Sequence, residues 1–243
     1  MLGPRGRYVG RGGEKLAAAL TEFAIDVQGQ RAVDAGSSTG GFTDCLLQAG
    51  AAHVVAIDVG RNQLHERLRV DPRVDSRERT DIRRADAATF GGPVPLLVGD
   101  LSFISLLRVV DTLLDLCTPG ADLVLLVKPQ FEAGRVEVAR GKGVITDPAV
   151  WRRTLGEVRG ALDARGAAIM GVMASPLRGA DGNVEFLVHA VAPGGPARPD
   201  ERVGDAVPGT VGDAELDAVV DALVPGWASE PAGSDDPADG SAG

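Results

Sequence analysis

Two cysteines, Cys45 and Cys117, are all that this 243-residue chain contains, and both fall in helical patterns. No disulfide framework is therefore available. No apolar run approaches the ~20 residues that a membrane-crossing helix needs. Residues 1–13 are polar and glycine-rich, without the apolar core of a secretion signal. Strongly amphipathic basic segments are missing as well, which argues against a membrane-lytic role. These absences point to a reducing cytoplasm and to no membrane partner. Lysine is scarce: three residues, Lys15, Lys128 and Lys142, stand against 22 arginines. No internal repeat is evident. Hydrophobic residues make up 44% of the chain, ordinary for a globular protein, and the length suits one α/β domain.

The net charge of −9 is unevenly distributed. Residues 1–192 hold 23 basic and 23 acidic side chains, whereas residues 193–243 hold 2 basic and 11 acidic. The excess negative charge thus lies wholly in the tail. Arg5, Arg7, Arg11 and Lys15 make the first segment basic, and eight arginines crowd residues 61–84. A balanced domain with such clusters can bind a phosphate backbone, although a solvated arginine face explains the 61–84 group equally well.

Periodicity predicts a helix over Glu14 to Phe23 and strands at Arg31 to Asp34, Val54 to Asp58, Pro95 to Asp100 and Asp122 to Val127. Helices are expected at Phe42 to Gln48, Leu64 to Val70 and Ile104 to Leu116. Another starts at Pro148, behind an Asp147 cap, and runs to Arg165. Ala167 to Met173 and Val184 to Val191 read as the last two strands. The 122–127 strand is apolar on both faces, as a central parallel strand should be, and stops at Lys128-Pro129. Strands alternating with helices imply a doubly wound α/β sheet. Three regions follow: a basic segment 1–13, a domain 14–192, and an acidic Pro/Gly/Ala-rich tail 193–243. The tail is expected to be mostly disordered, apart from a short helix at Leu216 to Val224.

The run Asp34-Ala35-Gly36-Ser37-Ser38-Thr39-Gly40-Gly41-Phe42 joins the first strand to a helix. A glycine-rich turn there lets backbone approach a ligand closely, with helix N–H groups aimed at it. Asp58 ends the next strand, where an acid accepts hydrogen bonds from ribose hydroxyls. The G-x-G-x-x-G of dinucleotide binders is absent, which disfavours a dehydrogenase. A ligand with a ribose but no pyrophosphate suits the loop, and S-adenosylmethionine is the common case.

A lysine is conspicuous in a chain that prefers arginine, because lysine can give up its proton and arginine in practice cannot. Lys128 and Asp100 both end strands at the carboxyl edge of the sheet, where open α/β proteins bind ligands. Glu185 reaches the same edge if the last strand is antiparallel. Lys15 joins them only if the first helix packs over the glycine-rich loop. A ribose hydroxyl needs a general base, and a desolvated lysine beside a second cation loses its proton more readily. Singly, each residue has a plainer role: Asp100 as a helix cap, Lys128 as a strand-end lysine, Glu185 on a surface edge. Base methylation fits less well. The Asp100-Leu101-Ser102-Phe103 turn lacks the Pro-Pro of exocyclic-amine methyltransferases, and neither cysteine reads as a nucleophile.

At these residues the chain resembles the TlyA family of RNA 2′-O-methyltransferases, also called haemolysins, whose catalytic domain is FtsJ-like. The resemblance rests on Tyr8 to Leu16, Asp34 to Asp44, Asp100 to Leu106, Val127 to Glu132 and Gly182 to Leu187. It implies a Rossmann-like class I methyltransferase fold with a mostly parallel seven-stranded sheet and an antiparallel last strand. It implies a catalytic tetrad of Lys15, Asp100, Lys128 and Glu185, with Lys128 as base, Asp100 and Glu185 orienting it, and Lys15 positioning the ribose. S-adenosylmethionine would be held by Asp34, Gly36, Ser37, Ser38, Thr39, Gly40, Gly41 and Phe42, by Asp58 and Val59 at its ribose, and by Asp81, Ile82 and Asp100. Ribosomal RNA or ribosomal subunits would be the partner, a cytidine 2′-hydroxyl the target, and no metal is required. The alternative is an RNA- or ribosome-binding protein of the same fold with weak turnover. The family's usual S4-like RNA-binding domain is not legible ahead of residue 14, so residues 1–13 read as a linker remnant. Gly10 stands where the family usually has Ser, and Asp81 where Asn is common.

Overall fold

In the computed structural model, residues 6–179, 181–195 and 210–227 are described. The apolar runs form seven strands: β1 (Arg31–Ala35), β2 (His53–Ile57), β3 (Val74–Arg77), β4 (Val94–Gly99), β5 (Cys117–Val127), β6 (Ala168–Ala174) and β7 (Phe186–Val191). They pair in the order β3-β2-β1-β4-β5-β7-β6, with β7 alone reversed. The expected mostly parallel sheet with an antiparallel last strand is present. Strand order reverses between β1 and β4, and the crevice of an open α/β sheet lies at such a switch point.

Around the sheet pack α1 (Gly12–Glu22), α2 (Gly41–Gln48), α3 (Glu66–Arg69), α4 (Val110–Asp115), α5 (Pro129–Glu132), α6 (Arg135–Arg140), α7 (Pro148–Asp163) and α8 (Asp213–Trp227). On one face, Leu16, Ala19 and Leu20 of α1 join Phe42, Cys45 and Leu46 of α2 against Ala32, Val54 and Val98. On the other face, buried residues of α4 and α7 cluster with Val33, Val55, Leu97 and Leu125, with Trp151 fully buried against Phe186, and α8 packs on α7 and β6. Burial raises the Cys45 thiol to about 11 and the Cys117 thiol to about 12, so both are inert packing residues. Among the described residues, no helix is long and apolar enough to cross a membrane.

Several elements differ from the sequence expectation. β3 reads Val-Asp-Ser-Arg, an edge strand with no apolar alternation, and it escaped notice. The helix expected over Ile104 to Leu116 is broken: a 3-10 turn at Leu106–Arg108 precedes α4. The helix expected at Leu64 to Val70 shrinks to the single turn of α3. Of the 193–243 tail, Asp213–Trp227 is helical, whereas 196–209 and 228–243 lie outside the described residues. Helix α8 docks because Leu216 and Val220 are buried, while Arg152 pairs with Asp217 and Asp221 and Arg159 pairs with Asp213. Val220 is completely inaccessible, so Val220→Asp buries an unpaired carboxylate. It is expected to cost roughly 2–4 kcal/mol or to unseat the helix. Urea unfolding and protease sensitivity measure this, and an unchanged midpoint would show that α8 is not seated there.

Candidate active site

Local chain chemistry brings the four charged residues together. β4 ends at Gly99 and delivers Asp100; β5 ends at Val127 and delivers Lys128, with Pro129 starting α5. The last rung between β5 and the antiparallel β7 joins Val127 to Phe186, so Lys128 and Glu185 flank the next step of the same ladder. Lys15 sits one turn into α1. That helix crosses the glycine-rich loop because glycines permit it: a Cβ at Gly41 would approach Gly13 N to 2.9 Å, and one at Gly10 would meet Thr39 Oγ1 at 2.8 Å. The second contact gives a physical reason for glycine at position 10. The condition under which Lys15 reaches the crevice is met.

The four residues form two ion pairs. Lys128 Nζ lies 2.6 Å from Asp100 Oδ1 and donates to Ser102 Oγ at 2.7 Å. Lys15 Nζ donates to Glu185 Oε2. Both lysines and Glu185 are buried. Glu185 therefore faces Lys15, whereas the resemblance had it orienting Lys128 together with Asp100. Removing one partner of such a pair strands a buried charge, typically at 3–5 kcal/mol.

The glycine-rich loop is shaped by its neighbours. Gly36 has φ +87°, and a Cβ there would lie 2.7 Å from the Asp100 carbonyl oxygen, so only glycine fits. Gly36 N and Ser37 N donate to Ile57 O at 2.8 and 3.1 Å, and Gly40 at φ +96° opens α2. Asp58 accepts from Ser38 N at 2.8 Å and from Gly60 N at 2.7 Å, which fixes its carboxylate at the end of β2 while lone pairs remain for ligand hydroxyls. A cavity of about 190 Å³ is lined by Gly12, Gly36, Ser37, Ser38, Thr39, Gly41, Phe42 and Asp100. It opens beside the Lys128–Asp100 pair. A larger hollow of about 380 Å³, bounded by Asp44, Leu47, Gln48, Arg67, Leu68, Asp71 and Arg73, holds none of the four.

Other expected cofactor residues stand differently. Asp34 is fully buried under the loop, accepting from Thr43 Oγ1 at 2.6 Å. Phe42 is buried in the core, although it also lines the cavity. Val59 is 70% exposed. Asp81 caps the 3-10 turn Ile82–Arg84 and clasps Arg83, whose hydrogen bonds hold its carboxyl down to about 2. Ile82 is buried in the core. Four of the eight arginines at 61–84 are held in ion pairs: Arg67 with Asp44, Arg73 with Asp71, Arg77 with Asp75 and Arg83 with Asp81. Among the described residues, no group of three or more His, Cys, Asp or Glu is gathered as for a metal.

Two aromatics were missed in the sequence. Phe103 is 93% exposed at φ +64° and lies 5.3 Å from Phe131, ring centre to ring centre. Lys128 Nζ lies 5.7 Å from the Phe131 ring. Left-handed backbone costs a non-glycine residue about 1–2 kcal/mol. The strain is held by Glu132, which accepts from Ser105 Oγ at 2.5 Å and Leu106 N at 2.9 Å, tying α5 to the loop after Asp100. The signal was an aromatic in each of two charged blocks with no apolar periodicity to claim it.

Residues 8–191 match the model of the FtsJ-like methyltransferases. The chain belongs to this family. Among FtsJ-like relatives, the chain is 50% identical over 181 residues to the 16S/23S rRNA (cytidine-2′-O)-methyltransferase TlyA of Mycobacterium tuberculosis, covering 74% of this chain and 67% of that protein. A solved structure described as "The crystal structure of a putative hemolysin from Lactococcus lactis" superposes with TM-score 0.80 at 38% identity, covering 90% of this chain and all of the other. The magnesium protoporphyrin IX methyltransferase of Synechocystis, at 16% identity and TM-score 0.53 over 75% of this chain and 82% of its own, shares the class I methyltransferase fold.

Burial pushes the Asp34 carboxyl up to about 7; the Thr43 hydroxyl opposes the rise and the Asp100 charge adds to it. The folded value lies above the unfolded one of about 3.9. The fold therefore holds an extra proton between the two, and stability falls as pH rises through about 7. Asp34→Asn should flatten this dependence, removing a loss of a few kcal/mol between pH 5 and 8. Urea unfolding at the two pH values measures it. An undiminished loss in the variant would locate the titration elsewhere.

Proposed function

We propose that this chain is an S-adenosylmethionine-dependent methyltransferase acting on the ribose 2′-hydroxyl of ribosomal RNA, with cytidine as the target nucleoside. The observation that carries the reading is the pair of buried lysine–carboxylate contacts beside a glycine-rich cradle. The printed name of the Mycobacterium tuberculosis relative, a 16S/23S rRNA (cytidine-2′-O)-methyltransferase, supports the substrate class.

The residues present suit the cofactor. The 190 Å³ cavity takes a compact polar end, Gly36 leaves room that any side chain would fill, and Asp58 is held ready for ribose hydroxyls. S-adenosylmethionine, when bound, supplies a methyl group on a positively charged sulfur. Lys128 Nζ would accept the 2′-hydroxyl proton as that oxygen takes the methyl group and the methyl–sulfur bond breaks. Asp100 and Ser102 fix the direction of Nζ and hold the ammonium that results. Lys15, oriented by Glu185, positions the ribose oxygen from the opposite side of the crevice. Phe103, displayed above Phe131, offers a stacking surface for an unpaired base at the mouth.

Lys128→Ala is expected to lower the methyl-transfer rate by at least ~10²-fold, the scale of a lost general base. Cofactor affinity should stay within about twofold, because the cradle is backbone and Asp58. Labelled methyl transfer to ribosomal subunits and calorimetric cofactor binding measure the two quantities. Normal transfer by the variant removes Lys128 from the base role.

A further inference from the structure

The third lysine, Lys142, belongs to neither ion pair. It is exposed, and among the described residues it has no carboxylate partner. Its position is nevertheless built. The chain leaves the crevice at Lys128, passes through α5 and α6, and turns at Gly141-Lys142-Gly143. The turn is closed by Lys142 N to Ala139 O at 3.2 Å and Gly143 N to Val138 O at 2.9 Å. Gly141 is obligatory, since a Cβ would strike the Val144 carbonyl oxygen at 1.9 Å. Lys142 itself holds φ +50°, a left-handed conformation that favours glycine or asparagine.

Asn183 pins this turn to the catalytic edge. Its side chain is 99% buried by exposure of 1%, and both of its amide atoms serve the turn. Nδ2 donates to Gly143 O at 3.0 Å, and Oδ1 accepts from Ile145 N at 2.9 Å. Trp151 Nε1 donates to Ile145 O at 3.1 Å, which fixes the far side. Asn183 precedes Glu185 by two residues. The turn is thus attached at one end to Lys128 by the chain and at the other to the segment that leads through Glu185 into β7 by hydrogen bonds. A buried amide spent wholly on an exposed glycine-flanked turn fixes where that turn stands relative to the segment that carries Glu185.

We propose that Lys142 is a substrate-positioning residue that binds a backbone phosphate of the RNA strand beside the target nucleotide. The inference rests on the methyltransferase reading above. A single exposed cation on a rigid turn suits a phosphodiester, which presents one negative charge per nucleotide and needs no base-specific geometry. The carboxylate-paired arginines of residues 61–84 are less free to do so.

The test compares wild type, Lys142→Ala and Lys142→Arg in steady-state methyl transfer to ribosomal subunits across a salt series, with cofactor binding measured in parallel. Because residue 142 is exposed, both variants should fold, and thermal melting checks this. Lys142→Ala is expected to raise the RNA KM roughly threefold to tenfold with kcat and cofactor affinity unchanged, the scale of one lost charge-assisted contact. It should also reduce the slope of log affinity against log salt by roughly 0.7 to 1, the loss of one phosphate contact. Lys142→Arg should restore most of both. An unchanged KM and salt slope in Lys142→Ala overturns the inference, as does a fall in kcat alone. A wild-type protein that transfers no methyl group to RNA overturns the underlying reading instead, so the two failures are distinguishable.

Discussion

Two buried ammonium–carboxylate contacts at one edge of a parallel sheet govern how the rest of the molecule is arranged. Buried charges are expensive unless paired. Lys15 therefore needs Glu185, and Glu185 reaches it only because β7 runs against its neighbours. Lys128 needs Asp100, and the two meet because β4 and β5 are adjacent parallel strands whose ends lie within two residues of one another. The reversed strand and the helix laid across the glycine-rich loop are the structural costs of gathering four charges from four distant parts of the chain.

Glycine placement makes the gathering possible. Gly10, Gly13 and Gly41 let the segment before α1 lie directly on the opening of α2, and Gly13 accepts the Tyr8 ring against it. Gly36 lets the loop after β1 touch the backbone after β4. The same close approaches that leave a ligand-sized cradle also bring Gly12 within 3.6 Å of Asp100 Oδ2, measured from the Cβ it lacks. Cradle and charged pairs are therefore one piece of architecture, and a ligand held by the first lies next to the second.

Much of this was legible in the sequence where periodicity or chemistry was strong. The apolar runs at 31–34, 54–58 and 95–100 and the Asp147-Pro148 start of α7 appear within a residue or so of the expectation, whereas the 122–127 strand starts earlier, at Cys117, which was expected in a helical pattern. Three scarce lysines directed attention to two residues that the structure buries in ion pairs. What escaped had no local signature. β3 is polar because it is an edge strand, and α5 and α6 are too short to display a period. Glu185 was assigned to Lys128, but which lysine a carboxylate meets is decided by helix packing across 170 residues of chain. Phe103 is exposed on strained backbone, contrary to the expectation that aromatics are interior. Asp81 looked available for a ligand, yet the arginine two positions later takes it.

The central claim is that the paired lysines serve a sugar hydroxyl and not a base. Nucleoside mass spectrometry of ribosomal RNA, digested after incubation with the protein and S-adenosylmethionine, tests it most directly. The account predicts a methyl group that stays with the ribose fragment, on cytidine, and that protects the adjoining phosphodiester from alkali. A methyl group that leaves with the base would contradict it.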